Sequence, residues 1–403
     1  MGNSQSENLC FFSDEETKTL ASVYNESGFE AVIPLFKEKF DNLGTEPLNI
    51  AVTGESGTGK SAFINAMRGL RPGEPGAAKE GLTEQTKNPT PYQHPDLPSV
   101  YLWDLPGMGT GNFPCHKYLE KVNFKKYDFF ILITGNRFKE NDARLAREIK
   151  KMGKEFYFVR SRIDIEEYSL RMSGRLCHIK DELDKIRRYC IESLVENQVD
   201  SPRVFLVSSK YLHGYDFLEF CEVLESELPE KKKHVFVLSL PNLTQSVVKK
   251  KKKILSAKII LAATVAAGAG AIPIPGLSFA CDVSIIVSAL LYIRRSFGLT
   301  EESLERLACK VNIPVEELKA VVVSPLVFDV TPVSVTKYLS KSVAGVAMLS
   351  DELLHLIPII GSVLGASVSF TASYWMLSKA LDEFAESAEK VVMKVFECNK
   401  ELP

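Results

Sequence analysis

Eight consecutive residues carry the plainest chemistry in the chain: Gly54-Glu55-Ser56-Gly57-Thr58-Gly59-Lys60-Ser61. They fill every fixed position of G-x-x-x-x-G-K-[ST], a loop whose backbone N–H groups cradle phosphate oxygens. The glycines let those N–H groups turn inward, and the N-terminus of a following helix adds a favourable dipole. In that setting Lys60 reaches the β- and γ-phosphates of a nucleoside triphosphate, and the Ser61 hydroxyl holds Mg2+. The nucleotide-contacting residues then run from Gly54, Glu55, Ser56, Gly57, Thr58, Gly59, Lys60 and Ser61 to Ala62. The pattern has meaning only between a strand and a helix. The β-like run Leu48–Thr53 before it and the helix-like run Ala62–Met67 after it supply that context.

Further residues test this reading. Asp104-Leu105-Pro106-Gly107 follows the apolar run Val100–Trp103. An Asp at a strand end can accept from a Mg2+-bound water, and the Gly107 N–H can meet a γ-phosphate. Between the phosphate loop and Asp104 lies a polar, Pro- and Gly-rich loop with Thr83, Thr86 and Thr90. A hydroxyl there could complete Mg2+ coordination only when the γ-phosphate is present, which would make the loop a switch. Ser161-Arg162-Ile163-Asp164 ends another strand-like run. The Asp164 carboxylate can accept from the N1–H and 2-amino group of guanine. Adenine lacks both donors and would leave a buried Asp164 unpaired, which disfavours an ATPase. The common guanine pattern, N/T-K-x-D, has lysine where this chain has Arg162, whose flat side chain can still lie over a base. Ser208-Ser209-Lys210 follows the last strand-like run and could support the base through the backbone N–H groups of Ser209 and Lys210.

These residues need elements to hold them. Strand-like runs fall at Leu48–Thr53, Val100–Asp104, Asp128–Thr134, Glu155–Arg160 and Val204–Ser208, with helix-like runs such as Asn141–Met152 and Asp181–Glu196 between them. That alternation predicts a mainly parallel sheet with helices on both faces. Ligands in such sheets sit at the carboxyl ends of the strands, where Gly54 lies. The chain has 403 residues and a formal net charge of −2, so no global basic field argues for a nucleic acid partner. Its 8 cysteines form no C-x-x-C pair, which favours reduced thiols in a cytosolic compartment over a zinc site or a disulfide framework.

After about Pro229 the composition changes. Lys249 to Lys253 are consecutive lysines. On a helix they step around every side, so that turn is expected not to be buried on any face. It reads as a solvated helix start or as a contact for anionic lipid headgroups. The runs Ile259–Cys281 and Leu353–Leu377 lack charged residues and are long enough to span a bilayer. Pro273, Pro275 and Gly276 break the first, and Pro358 and Gly361 break the second. Each break reads as the start of a new helix in a buried bundle rather than as part of a membrane span. The tail from Ser378 to Cys398 is amphipathic, with Leu381, Phe384, Ala388, Val391 and Val395 on one face. The N-terminus Met1-Gly2-Asn3-Ser4-Gln5-Ser6 fits the myristoylation pattern, with Gly2 as the acceptor.

The sequence resembles the immunity-related GTPases, the interferon-inducible GTPases of vertebrates. The resemblance rests on Gly54–Ser61, Trp103-Asp104-Leu105-Pro106-Gly107, Asn112-Phe113-Pro114, Tyr127-Asp128-Phe129-Phe130, Lys154–Arg160 and Ser239-Leu240-Pro241-Asn242. It reaches from about Asp14 to the C-terminus and is strongest from Pro47 to Thr244. Lys60 before Ser61 matches the G-K-S subgroup. The resemblance implies a dynamin-like GTPase: an α/β Ras-like domain with a mainly parallel sheet, plus an all-α helical domain built from both chain ends. It implies Thr86 as the switch threonine, so that Lys60, Ser61, Thr86 and Gly107 serve hydrolysis and Ser61, Thr86 and Asp104 (through water) serve Mg2+. It also implies nucleotide-dependent self-association through the GTPase domain on a membrane surface, such as a vacuole holding an intracellular pathogen. The expected location is cytoplasmic and peripherally membrane-associated.

The expected division is a flexible N-terminus over 1–13, N-terminal helices over 14–45, a GTPase domain over 46–235 and a C-terminal helical domain over 236–403. Met108 to Asn112 include no glutamine and no acid, where Ras-like GTPases place a water-orienting glutamine. The resemblance implies that a second nucleotide domain supplies the missing organisation, with Thr86, Lys87, Arg137 and Lys139 near the contact. The alternative is a GTP-gated membrane-binding scaffold with negligible hydrolysis.

Overall fold

The computed structural model describes residues 14–27, 46–81, 86, 88–107, 122–135, 138–174, 179–269, 277–338 and 364–399, with single positions at 31, 34, 35, 38, 118 and 120. Gly2, Thr83, Lys87, Met108, Arg137 and the two Pro/Gly breaks lie outside the described residues. The chain divides into two compact units, one of residues 45–243 and one of residues 1–44 with 244–403. The division falls after Leu243 rather than at residue 236, because the helix before it packs on the sheet.

The first unit is built on a six-stranded sheet in the order β2-β3-β1-β4-β5-β6. The strands are β1 (Leu48–Thr53), β2 (Thr90–Gln93), β3 (Val100–Asp104), β4 (Phe129–Thr134), β5 (Phe156–Arg160) and β6 (Val204–Leu206). All pairings are parallel except β2 with β3. Central strands of a parallel sheet are covered on both faces and so read as continuous apolar runs. β4, Phe-Phe-Ile-Leu-Ile-Thr, is buried at every residue. Edge strand β2 was not foreseen. It has four residues, alternates half-buried with exposed positions and contains Pro91. Proline lacks an N–H for the ladder and is tolerated only at an edge. The carbonyl of Gln93 takes the buried Arg68 guanidinium at 2.7 and 3.0 Å, which pins β2 to the end of the helix after the phosphate loop.

That helix is α2 (Lys60–Met67), α1 being Asp14–Ser27. Then come α3 (Glu140–Lys151), α4 (Ile163–Met172), α5 (Ile179–Glu196), α6 (Phe217–Glu227) and α7 (Glu230–Ser239). Phe63 of α2 stacks edge-on against Phe217 and Phe220 of α6, at 6.4 and 6.1 Å between ring centroids. α7 packs on β1 and β3, which explains the shifted boundary.

The second unit contains α8 (Gln245–Ala269), α9 (Leu277–Ser296), α10 (Glu301–Val311), α11 (Val315–Lys319) and α12 (Leu364–Asn399). α8 packs along α12 and against α9. Buried Leu377, Leu381, Phe384, Ala388, Val391 and Val395 step by four and three along α12, the spacing of a helix–helix seam. Among the described residues one stretch, Val283–Val311, has the length and apolarity to cross a bilayer, and 78% of its window is buried inside the protein. It is interrupted at Gly298 between α9 and α10; the two runs noted in the sequence lie partly outside the described residues.

The lysine run departs from expectation. Lys251 is 2% exposed and donates from Nζ to the carbonyl of Ser296 at 2.7 Å. It stands on the buried stripe Val248, Lys251, Leu255, Ile259 and Ala262 of α8. Ser296 ends α9, where helix carbonyls lack intrahelical donors and the dipole favours a cation. A helix C-terminus thus makes a buried ammonium tenable, which the consecutive lysines alone do not reveal. Lys252 pairs with Asp382 of α12 at 2.8 Å on the surface, while Lys249 and Lys253 are exposed. Lys251→Ala should therefore lower the unfolding free energy by about 2 kcal/mol, the worth of a charge-assisted hydrogen bond. Lys253→Ala should change it by less than about 0.5 kcal/mol. Urea unfolding of both variants checks this; equal effects would remove the structural role of Lys251.

Candidate nucleotide site

The phosphate loop leaves β1 at Gly54 in a conformation only glycine can hold. Its φ is 138°, and a Cβ there would lie 2.1 Å from the carbonyl oxygen of Ile133 in β4. Gly59 has φ 93° and opens α2 with no side-chain cap, so the first N–H groups of that helix remain available to a ligand. Lys60 is 8% exposed and bends back so that Nζ donates to the carbonyls of Gly54 at 3.1 Å and Glu55 at 2.8 Å. The loop is braced from below. Thr58 Oγ1 donates to the Glu55 carbonyl at 3.0 Å, and Ser161 Oγ at the end of β5 donates to the Thr58 carbonyl at 2.6 Å.

Asp104 closes β3 beside the loop and is 1% exposed. Its Oδ2 accepts from Ser61 Oγ and from Thr86 Oγ1, both at 2.9 Å. Its Oδ1 is buried without a hydrogen-bond partner. Burial pushes the Asp104 carboxyl up, against the Thr86 hydrogen bond, the Lys60 charge and the Ser61 hydrogen bond. Two hydroxyls and a carboxylate with an orphaned oxygen are hard donors gathered at one point, and they fit Mg2+. The competing threonine, Thr90, belongs to β2 and donates to the Asn88 carbonyl at 3.0 Å. Thr86 is the described threonine that reaches Asp104.

Gly107 lies against the loop so closely that a Cβ would stand 3.0 Å from the Ser56 nitrogen. The Leu105 N–H donates to the Val52 carbonyl at 3.0 Å, which carries the β3 chain across to β1. The carboxyl ends of β1, β3, β4 and β5 therefore enclose Gly54, Glu55, Ser56, Gly57, Thr58 and Gly59.

Of the residues expected to face the base, Arg162 and Asp164 stand at the start of α4 and Ser209 and Lys210 follow β6. Arg162 is exposed with φ 61°, and its Nε comes within 3.7 Å of where a Gly59 Cβ would be. Asp164 is half-buried in the first turn of α4, and its charge is felt at Lys210 and Tyr215. Two contacts hold that turn. Arg160, 3% exposed, donates to Glu166 at 2.7 Å, and Tyr215 donates to Glu167 at 2.5 Å. Ser208 Oγ accepts from the backbone N–H groups of Lys210 and Tyr211 at 3.2 and 3.1 Å. The Lys210 amide, expected to support the base, is thus already engaged; Ser209 is half-buried beside it.

Two contributors, Tyr118 and Asp142, escape sequence reasoning, as does the loop contact of Lys139. Lys139, 59% exposed, pairs with Glu55 of the loop. Tyr118 bonds both Thr53 and Pro106. Asp142, 2% exposed in α3, accepts from the Lys139 N–H at 3.3 Å. Nothing in their spacing marks the contacts of Tyr118 and Lys139, whose partners lie 12 to 84 positions away, whereas Asp142 bonds locally to Lys139. Burial pushes the Asp142 carboxyl up to about 7, and the Glu55 charge adds to it. Its folded value exceeds its unfolded one, so the stability it contributes is full below about 4 and is lost as pH rises through about 7. The stability of the wild type minus that of Asp142→Asn should therefore fall between pH 4 and 8 in chemical denaturation. A flat difference would mean that Asp142 ionises as an ordinary carboxylate.

Residues 13–395 match the family described as Interferon-inducible GTPase (IIGP). Interferon-inducible GTPase 5 of Rattus norvegicus is 36% identical over 395 residues, covering 98% of this chain and 85% of that protein. Interferon-inducible GTPase 1 of Mus musculus is 43% identical over 286 residues, covering 70% of this chain and 69% of that protein. Among solved structures, an oligomerised bacterial dynamin pair aligns over 95% of this chain and 74% of its own, at 11% identity and a TM-score of 0.32. With a family match from residue 13 to residue 395 laid over a parallel sheet that carries a complete phosphate loop, the chain belongs to the interferon-inducible GTPase family.

Proposed function

We propose that the chain binds GTP together with Mg2+ at the carboxyl end of its sheet and hydrolyses it to GDP and phosphate. The observation that carries this reading is the convergence of the Ser61 and Thr86 hydroxyls on a buried Asp104 whose second oxygen is unpaired. Ser61 and Thr86 would hold the metal, with Asp104 acting through a water molecule. Bound Mg2+ would neutralise charge that develops on the transferring phosphoryl group. Lys60 exchanges the Gly54 and Glu55 carbonyls for phosphate oxygens, so its ammonium is already near its working place. The uncapped start of α2 and the Gly107 N–H donate to the same phosphates. Asp164 reads the guanine edge and Arg162 lies over the base. Asp164→Asn should reverse base choice, because an amide can donate to the 2-oxo group of xanthine. The check is competition between GTP and XTP for binding; an unaltered preference for GTP would remove Asp164 as the base reader.

The chain works as an assembly on membranes. No glutamine or acid stands in Met108 to Asn112, so a second nucleotide domain organises the attacking water, with Lys139 near that contact. Attachment takes two signals, since one myristoyl chain gives only about 10⁴ M⁻¹. Gly2 supplies one. The exposed Lys249 and Lys253 supply the other, a smaller basic patch than the full lysine run suggests. Cytoplasmic and peripherally membrane-bound, such a GTPase would act in cell-autonomous defence. Phosphate release at saturating GTP should rise per subunit over a hundredfold increase in protein concentration. A flat, low rate in an assembling sample would favour a GTP-gated scaffold instead. A flat, high rate in monomers would mean that one chain holds the complete machinery.

A further inference from the structure

Tyr118 is 4% exposed, and its hydroxyl sits between two groups that border the phosphates. It donates to the carbonyl of Pro106 at 2.8 Å. Its oxygen lies 2.8 Å from Oγ1 of Thr53. A phenol has one proton, so with that proton on Pro106 the Thr53 hydroxyl is the donor of the second bond. Thr53 is wholly buried, ends β1 and immediately precedes Gly54. The chain Thr53–Tyr118–Pro106 thus ties the root of the phosphate loop to the turn after Asp104.

The carbonyl of Pro106 and the N–H of Gly107 belong to one peptide unit. That unit is planar and trans, so fixing the direction of its carbonyl fixes its N–H in the opposite direction. There are no cis peptides among the described residues. Gly107 stands against Ser56 of the loop, at 3.0 Å from the Ser56 nitrogen to a built Cβ. We infer that Tyr118 is a positioning residue: by gripping the Pro106 carbonyl it aims the Gly107 N–H at the γ-phosphate position and sets the preference for GTP over GDP. The inference rests on the reading of Gly107 as a γ-phosphate donor. Tyr118 touches no nucleotide itself. Its loss costs the γ-phosphate contact and spares those of the α- and β-phosphates.

The test is the ratio of affinities for GMPPNP and GDP, measured with Mg2+ on the full chain by calorimetry, beside a thermal melt. Tyr118→Phe should lower that ratio about tenfold, the scale of one buried hydrogen bond, with GDP affinity within about twofold of wild type. An unchanged ratio, or equal weakening of both nucleotides, would overturn the inference, since a purely structural tyrosine moves both together. If Tyr118→Phe does not fold, Thr53→Val decides. It cuts the tether at the β1 end and should lower the ratio about threefold, whereas no change overturns the inference. Gly107→Pro, which removes the N–H itself, separates the two layers. If it leaves the ratio intact, the reading of Gly107 fails and takes the role of Tyr118 with it. If it lowers the ratio while the folded Tyr118 and Thr53 variants do not, the tether alone is wrong.

Discussion

The carboxylate of Asp104 is 1% exposed at the end of β3, and one of its oxygens has no hydrogen-bond partner. Moving a carboxylate out of water costs several kcal/mol unless charge and hydrogen bonds compensate. Two hydroxyls and the nearby Lys60 compensate only in part, and the carboxyl is still pushed up. The deficit has the sign and the place that a divalent cation would satisfy. The surrounding features serve this constraint. β3 ends at Asp104, Ser61 in the first turn of α2 lies beside it, and Thr86 is drawn in from the connecting segment.

Much of the first unit is legible in the sequence because a parallel sheet buries both faces. Leu48–Thr53 and Val100–Asp104 are strands at the expected bounds, and the others begin or end within two residues of expectation. Glycine positions are legible for a related reason: a Cβ at Gly54 would meet Ile133 at 2.1 Å, and no other residue fits. β2 is not legible. Four residues with a proline and no apolar face look like loop, and their pairing comes from β3 and from Arg68. Among the site residues, those defined by chain order were visible, while Tyr118, Asp142 and the contact of Lys139 with Glu55 were not. Tyr118 and Lys139 act through contacts 12 to 84 positions apart, which local spacing does not encode, and Asp142 is set apart by its burial.

Lys251 shows the same limit in the helical unit. A run of lysines reads as uniformly solvated if only its own helix is considered. One member falls on the apolar stripe of α8 and finds the buried carbonyl end of α9. Its long stem packs while the ammonium caps, so a polar residue completes an apolar seam. The charge available to an outside surface is correspondingly smaller than the residue count.

The antiparallel edge strand also limits how far the Thr86 hydroxyl can travel from Asp104. Thr90 of β2 is paired with Asp104 itself, and Thr86 lies four residues upstream. Four residues of fully extended chain span at most about 14 Å. A hydroxyl confined to a sphere of that radius has an effective concentration on the order of 0.1 M at the Asp104 carboxylate. The Thr86–Asp104 hydrogen bond is therefore an intramolecular contact whose re-formation is limited by the four-residue reach from Thr90, not by diffusion of a free partner.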